Sequence, residues 1–351
     1  MISVRDLLGY AVSKEASDIH VSAGAVPKLR IHGELIDTYF PRLSPSDTLG
    51  LLLGLISQEQ RERFEREGEI DMSVSVEDVG RFRINAYKQR GAITLAFRVV
   101  SPTLPDPMEL GLPPQVLSLT ERRRGLVFVT GPSGSGRSTV IAALIDRINA
   151  ARACNIITLE DPIEYLHESR LSVINQREIG LDVSSYEAGL SSCLKEDPDV
   201  IYVSDLSRAE DVMAVLRTVE TGRLVFSSMY TSSAEDTIRR ILELFEGNAR
   251  QSVQMRLSRA LLAVVSRKLL NGTDGGRIPA HEILLMNKEV RDAISCGEPE
   301  RLPSIIKDSA EEGMCLMEDS LLRLVQEGRT EAEEALLSAN DPEALEKEFM
   351  P

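Results

Sequence analysis

The sequence predicts an α/β chain in which a small α+β domain precedes a larger domain built on a parallel sheet. Two patterns and the length support this class. Short apolar runs alternate with helical segments after residue 124, which is typical of a parallel sheet covered on both faces. Before residue 100, strand-like runs flank one long helical pattern, which favours an α+β domain. A chain of 351 residues also corresponds to about two domains.

The first domain is predicted over residues 1–100. Residues 2–14 have the pattern of a short amphipathic helix, and Ser46–Glu67 has that of a longer one. The strand-like runs are Asp18–Ser22, Lys28–Ile31, Ile70–Val76, Arg81–Tyr87 and Ile93–Val99. Residues 101–114 contain five prolines, so we expect a linker and a domain boundary there.

The second domain is predicted over residues 115–286. Its first strand is GLVFVT at 125–130, and a helical pattern follows over Ser138–Ala150. Three further apolar runs are NIITLE at 155–160, DVIYVSD at 199–205 and RLVFSSMY at 223–230. NGTDGG at 271–276 is a loop pattern. Residues 287–351 are predicted to be helical, and Pro342 fits the start of a last short helix.

Composition and charge exclude several classes of protein. The chain carries 40 basic and 55 acidic residues, which disfavours a uniformly basic nucleic-acid binder. Aromatic residues are only 4% and tryptophan is absent, so stacking on bases has little support. No apolar run is long enough for a transmembrane helix, and the first residues lack a signal-peptide pattern. The four cysteines form no CxxC pair, so we expect reduced thiols and no zinc site.

The last segment of the chain is strongly acidic. Residues 309–351 carry 12 acids and 3 bases. Such a run is most often the solvated face of a helix, and a docking surface for a partner is the alternative.

A phosphate-binding loop is predicted at GPSGSGRST, residues 131–139. It follows an apolar strand, opens a helix and fits the template GxxxxGK[ST] at Gly131, Gly136 and Ser138. Glycines let backbone N–H groups turn toward an anion, and the helix start adds partial positive charge. A glycine- and serine-rich turn is the alternative. The residues expected to contact nucleotide are Ser133, Gly134, Ser135, Gly136, Arg137, Ser138 and Thr139.

Arg137 stands where the template has lysine. Arginine keeps the positive charge but is longer, planar and forked, so it reaches phosphate from a different position. A misplacement of about 1 Å costs on the order of a hundredfold in rate. Nucleotide binding therefore tolerates this change better than hydrolysis does.

The chain resembles the secretion ATPase superfamily, and within it the twitching-motility ATPases that power type IV pilus retraction. The resemblance runs from the first helix to about Ile306. Its landmarks are ASDIHVSAG at 16–24, GRFRINAY at 80–87, RGLVFVTGPSGSG at 124–136, TLEDPIEYLHES at 158–169, VINQREIG at 173–180, LKEDPDVIYVSD at 194–205, ETGRLVFSSMYTSSA at 220–234 and AHEILLMNKEVRDAI at 280–294. The four-cysteine insertion of the assembly and type II secretion members is absent, so the chain resembles the shorter retraction type.

This resemblance implies a specific architecture and mechanism. Members form hexameric rings of subunits that combine a PAS-like N-terminal domain with a RecA-like P-loop domain and C-terminal helices. They bind ATP and Mg²⁺ between the two domains, and closure of the domains pushes on a pilus platform protein of the inner membrane. The implied location is therefore cytoplasmic, at the inner face of the cytoplasmic membrane. The implied partners are other copies of the chain and the platform protein. A second, competent pilus ATPase is a further partner if the chain is catalytically impaired, and the acidic composition disfavours nucleic acid.

The resemblance also assigns roles to acidic residues. Glu160, Asp161 and Glu164 match the acidic box that helps to hold Mg²⁺ and to order the attacking water, although Asp161–Pro162 also fits a plain turn. With Ser138, Glu160 and Asp161 are the expected metal-binding residues. Asp205 stands at the position of the family's catalytic glutamate and is one methylene shorter.

Several basic and aromatic positions complete the predicted site. Tyr230 replaces a family histidine and cannot take up a proton near neutral pH. Arg81, Arg83 and Arg98 match arginines that approach the phosphates, and their alternative is a solvent-facing row on a strand. His20 and His32 are not expected to bind metal.

Three positions at the chemistry depart together from the family pattern, namely Arg137, Asp205 and Tyr230. Two hypotheses follow. The chain is either a working retraction ATPase, or a catalytically impaired relative that binds nucleotide and regulates a competent ATPase. A nucleic-acid translocase on the same core is a distant alternative, because the acidic chain offers no basic stripe.

Overall fold

The fold is described from a computed structural model, which covers residues 2–31, 33–100, 104 and 106–349. The chain divides into two compact units. The first comprises Met1–Thr103 with Pro162–Leu166, and the second comprises Leu104–Asp161 with His167–Pro351. His32 and residues 101–103 and 105 of the predicted linker lie outside the described residues.

The first unit contains a six-stranded antiparallel sheet with the strand order β3-β2-β1-β6-β5-β4. The strands are β1 Asp18–Ser22, β2 Lys28–Ile31, β3 Glu34–Asp37, β4 Glu69–Val76, β5 Gly80–Gln89 and β6 Ala92–Val99. The helices are α1 Val4–Ser13, α2 Pro45–Leu53 and α3 Gln58–Glu67. Helix residues such as Leu52 and Phe64 share a buried core with Phe82 and Phe97 of the sheet. The five predicted strands are confirmed, whereas the exposed edge strand β3 was not predicted.

One helix prediction for this unit is wrong. Ser46–Glu67 is two helices, because α2 ends at Leu53 and α3 begins after Ser57. The Ser57 hydroxyl accepts a hydrogen bond from the Gln60 N–H, and the Gln60 side chain accepts one from the Ser57 N–H. This reciprocal cap satisfies two N–H groups and fixes a new helix start inside a continuous helical pattern.

The second unit is a seven-stranded sheet with the order β13-β12-β7-β11-β10-β8-β9. Its strands are β7 Gly125–Thr130, β8 Asn155–Glu160, β9 Val173–Glu178, β10 Val200–Val203, β11 Leu224–Met229, β12 Leu261–Asn271 and β13 Arg277–Leu285. The first helices are α4 Pro114–Ser118, α5 Arg137–Ala151, α6 Tyr186–Cys193, α7 Ala209–Glu220, α8 Ala234–Glu243 and α9 Gly247–Ala260. Helices α6 to α9 pack on one face of the sheet, and α4 and α5 pack on the other.

The parallel arrangement follows from the near-continuous apolar strands. Every residue of β7, β10 and β11 is buried, as is expected of strands covered on both faces. All neighbouring strands of this sheet pair in parallel except β12 and β13, which form an antiparallel hairpin around the predicted loop at 271–276. The predicted α/β class is confirmed. The structure also contains β9, β12 and β13, which were not predicted.

The C-terminal residues are helical, as predicted. The helices are α10 Lys288–Cys296, α11 Leu302–Asp308, α12 Met317–Gln326, α13 Ala332–Ser338 and α14 Pro342–Phe349. Ala335 and Leu345 of the acidic segment are buried against Leu270 of β12 and Ala280 of β13. The acidic segment therefore packs on its own unit through its apolar residues. Among the residues that the structure describes, no helix combines the length and apolarity that a membrane crossing requires.

Candidate nucleotide-binding site

The loop after β7 has a shape that only glycine permits at Gly131. Its φ is +149°, and a Cβ there would lie 2.3 Å from the Arg267 carbonyl oxygen and 2.5 Å from the Ser135 hydroxyl oxygen. Gly136, with φ +84°, precedes α5, and no side chain among the described residues caps that helix. A helix start without a side-chain cap is the setting in which P-loops bind phosphate through backbone N–H groups.

The remaining loop residues surround the same turn. Ser133 and Gly134 are exposed, and Ser135 is buried. The Ser135 N–H donates to the Pro132 carbonyl and closes the turn at 3.2 Å. Arg137, Ser138 and Thr139 are half-buried residues of the first turn of α5.

The side chain of Arg137 stacks on the ring of Tyr230. Its guanidinium carbon lies 3.4 Å from the ring centroid, which is close contact for a cation–π pair. Tyr230 follows β11, the strand beside β7, and is 62% exposed. Arg137 Nη1 is buried and has no hydrogen-bond partner among the described residues. Two of the three departures from the family pattern are thus in direct contact.

Asp205 is the third departure, and it lies in the electrostatic range of Arg137. It follows β10, which neighbours β11 in the sheet. Burial raises the pKa of Asp205, while the positive charge of Arg137 and a hydrogen bond from Ser207 oppose that rise. The structure therefore brings Arg137, Asp205 and Tyr230 together at the carboxyl ends of adjacent parallel strands, where α/β folds bind ligands.

A second polar network surrounds the end of β8. The buried Glu160 carboxylate accepts hydrogen bonds from the Thr158 hydroxyl at 2.6 Å and from Gln176 Nε2 at 3.0 Å. The Asp161 N–H donates to the Ser204 hydroxyl at 3.1 Å. Because Ser204 directly precedes Asp205, this bond ties the end of β8 to the end of β10.

The residues present fit Mg²⁺ only together with a nucleotide. Within the described ranges, no group of three or more His, Cys, Asp or Glu side chains could hold a metal ion. Mg²⁺ is usually bound by one or two protein oxygens together with substrate phosphates. The Ser138 hydroxyl at the start of α5 and the carboxylates of Glu160 and Asp161 are of the type that this arrangement needs.

The other predicted residues belong to the first unit and have partners there. Arg83 forms a two-pronged ion pair with Asp71, with its shorter contact at 2.6 Å. Arg98 pairs with Asp18 at 3.0 Å, and Arg81 donates to the Ser75 hydroxyl at 3.2 Å.

Two further predicted residues, Glu164 and His20, also belong to the first unit. Glu164 falls within Pro162–Leu166, which groups with the first unit and not with Glu160. His20 is half-buried on β1, and its Nε2 has no hydrogen-bond partner among the described residues.

Sequence reasoning missed the basic residues of β12 beside the loop. Arg267 is 4% exposed, and Lys268 next to it donates to the Ser338 carbonyl at 2.8 Å and to Asn340 Oδ1 at 2.6 Å. A cavity of about 270 Å³ lies between the loop, Lys268 and the end of α13. The available signal was a pair of basic residues within the apolar run LLAVVSRKLL.

Comparison with known proteins identifies the family. The family model described as Type II/IV secretion system protein matches residues 2–337. The chain is 35% identical over 342 residues to the type IV pilus retraction ATPase PilT of Pseudomonas aeruginosa, covering 97% of this chain and 99% of that protein. The chain belongs to the PilT-like members of this family. It is also 34% identical over 339 residues to the type IV pilus ATPase PilU of the same organism, covering 95% and 89% of the two chains.

A solved structure supports the same conclusion for the fold. The crystal structure of the pilus retraction motor PilT with bound ADP matches this PilT-like chain with a TM-score of 0.92. The identity is 39%, and the match covers 99% of this chain and 100% of the other. The predicted family and the predicted two-part fold, an N-terminal α+β domain followed by a RecA-like P-loop domain, are confirmed.

Proposed function

We propose that this PilT-like chain binds Mg-ATP at its P-loop and uses it to drive or regulate the movement of type IV pili. The observation that carries the proposal is the convergence of Arg137, Asp205 and Tyr230 beside a loop whose backbone shape requires glycine. A solved PilT binds ADP, and the relatives PilT and PilU of Pseudomonas aeruginosa are pilus ATPases, which supports nucleotide as the ligand.

The proposed roles follow the chemistry of each side chain. Arg137 holds the terminal phosphates, and the loop N–H groups of residues 133–139 surround them. Ser138, Glu160 and Asp161 would hold Mg²⁺, and the ion would supply positive charge to neutralise the phosphates. Asp205 and Glu164 accept hydrogen bonds from the attacking water.

The finer organisation is also proposed on the family resemblance. We expect a homohexameric ring at the inner face of the cytoplasmic membrane, acting on a platform protein without nucleic acid. Residues 1–100 and 115–286 would form its two working domains, with 101–114 as the hinge and 287–351 as a helical region. Arg81, Arg83 and Arg98 would exchange their present partners for phosphate oxygens during turnover.

A second candidate is favoured by the Arg137–Tyr230 stack. The N–H groups of an arginine stacked on a ring are fixed in direction by that ring, and the shorter Asp205 positions water differently from a glutamate. Both features slow hydrolysis more than binding. The second candidate is therefore a catalytically impaired subunit that binds nucleotide and regulates a competent pilus ATPase.

ATP hydrolysis by the purified full-length chain with Mg²⁺ separates the two. Gly136→Asp is the inactive control, because it adds a carboxylate at a residue with φ +84° in the phosphate loop. Arg137→Lys combined with Asp205→Glu restores the family residues. Arg147→Lys, on an exposed position of α5, is the matched control for the arginine change.

Turnover by the natural chain that Gly136→Asp abolishes supports a motor. A silent natural chain that the double variant activates supports the regulatory subunit. If neither chain binds nor hydrolyses nucleotide, the proposal is wrong.

A further inference from the structure

Arg267 of β12 is a buried, positively charged side chain. It is 4% exposed, and its Nε and Nη1 have no hydrogen-bond partner among the described residues. None of the ion pairs that the structure shows within those residues includes it. Burial lowers the pKa of Arg267 to about 10, so the side chain stays charged at neutral pH. An uncompensated buried charge is strongly destabilising, so its retention calls for an explanation.

The guanidinium of Arg267 lies against the phosphate loop. A Cβ built on Gly136 would lie 3.8 Å from Arg267 Nε and 3.9 Å from its Cζ. The Arg267 carbonyl also faces Gly131, at 2.3 Å from a Cβ built there. The residue therefore lies beside both ends of the loop, with its guanidinium next to the N-terminus of α5.

The groups around Arg267 add no negative charge. His281 is its cross-strand neighbour on β13. The pKa of His281 is lowered to about 3, first by burial and then by the charge of Arg267, so this histidine is neutral. Arg137 begins α5, whose N-terminus carries partial positive charge. A bound anion at the loop would supply the missing counter-charge.

We propose that Arg267 is a second, buried cation of the phosphate site, compensated by the phosphate groups of the nucleotide on the loop. This inference rests on the proposed nucleotide binding and adds a residue to it. Arg267 acts as a positioning residue through its charge beneath the loop, whereas Arg137 is placed to hold the phosphates directly. Nucleotide then binds partly because it relieves the unpaired charge.

The test compares three variants of the full-length chain. Arg267→Gln and Arg267→Met remove the charge, and Arg267→Lys keeps it. Arg277→Gln, on an exposed position of β13, is the matched control for the loss of one positive charge. The readouts are the affinities for ADP and for pyrophosphate by calorimetry, and the thermal unfolding midpoint without any ligand.

We expect loss of the charge to weaken ligand affinity without lowering the unfolding midpoint. The neutral variants lose at least tenfold in affinity for both ligands, while their unfolding midpoint without ligand is unchanged or higher. Arg267→Lys stays within about threefold of the natural affinity. A purely structural arginine gives a different pattern, because every substitution then lowers the midpoint and Arg267→Lys binds as poorly as Arg267→Gln.

Three outcomes distinguish a failure of this inference from a failure of the proposed function. If the natural chain binds ADP and the neutral variants bind it equally well, Arg267 has no role while the proposed function stands. If the natural chain binds pyrophosphate but not ADP, and the neutral variants lose pyrophosphate, Arg267 stands and the nucleotide is wrong. If the natural chain binds neither ligand, both proposals fail.

Discussion

Tyr230→Ala removes the ring on which Arg137 rests, and we expect it to tighten nucleotide binding. In the structure the guanidinium lies 3.4 Å from the ring centroid. If Arg137 has to leave the ring in order to hold phosphate, the free energy of the stack is subtracted from the binding free energy. Without the ring, this cost is absent and the nucleotide binds more tightly.

The size of the effect follows from the exposure of the two groups. Cation–π pairs contribute about 0.5–1 kcal/mol at exposed sites and about 2 kcal/mol when desolvated. Tyr230 is 62% exposed and Arg137 is half-buried, so a value of about 1 kcal/mol is appropriate. That corresponds to an affinity gain of about fivefold.

The assay is a titration of the full-length chain with ADP and Mg²⁺ by calorimetry. Tyr230→Phe keeps the ring and should stay within about twofold of the natural affinity. In an Arg137→Ala background, Tyr230→Ala should have no further effect, because the stack is already absent. This double-mutant cycle isolates the pair from other consequences of removing the ring.

Weaker nucleotide binding by Tyr230→Ala, to the same extent as by Arg137→Ala, would contradict this expectation. The ring would then hold the guanidinium in its binding position instead of competing with the ligand. An unchanged affinity would also refute it, since the stack would then carry no measurable free energy.

Three further predictions concern stability. Burial raises the pKa of Glu282 to about 7 from 4.5, so the free energy of unfolding falls by up to about 3 kcal/mol as the pH rises through that window. In urea denaturation at pH 5 and pH 8, Glu282→Gln should remove this pH dependence of the free energy of unfolding. If the variant keeps the pH dependence of the natural chain, burial of Glu282 is not its cause. Gly131→Ala should lower the unfolding temperature far more than Gly134→Ala, because of these two residues only Gly131 has atoms within 3 Å of an added Cβ. Equal decreases in the unfolding temperature would show that the loop relaxes around the new side chain. Leu345→Ala should cost about 2–5 kcal/mol in the same denaturation assay, against a small effect for exposed Glu343→Ala, and a loss below 0.5 kcal/mol would mean that α14 does not pack.

The parts of the fold that follow from local patterns were predictable. β7, β10 and β11 are near-continuous apolar runs because both faces of each strand are buried, and the phosphate loop is fixed by glycines at short spacing. The edge strand β9 was missed because four of its six residues are polar, and its Val173 is 58% exposed. The break between α2 and α3 was missed because the cap at Ser57 stabilises a helix start within a pattern that otherwise continues.

The candidate site was predictable as a set of residues but not as a set of contacts. The departures at Arg137, Asp205 and Tyr230 are visible as letters, whereas the stack depends on β7 and β11 lying side by side. Arg267 is visible as a charge in an apolar run. Its burial, and the absence of a hydrogen-bond partner for its Nε and Nη1 among the described residues, appear only when the sheet is assembled. Pairing partners are non-local, and a single sequence carries no direct record of them.

The docking of the C-terminal segment changes how truncated chains should be interpreted. Lys268 donates to the Ser338 carbonyl and to Asn340, and Leu337 and Ser338 share the cavity beside the phosphate loop with Ser133. A deletion from residue 332 onward therefore removes one wall of that cavity and uncovers apolar residues of β12 and β13. Loss of function in such a deletion is consequently not evidence that the acidic segment recruits a partner. Charge-reversing changes at its exposed carboxylates, which leave the packing intact, are the cleaner way to ask that question.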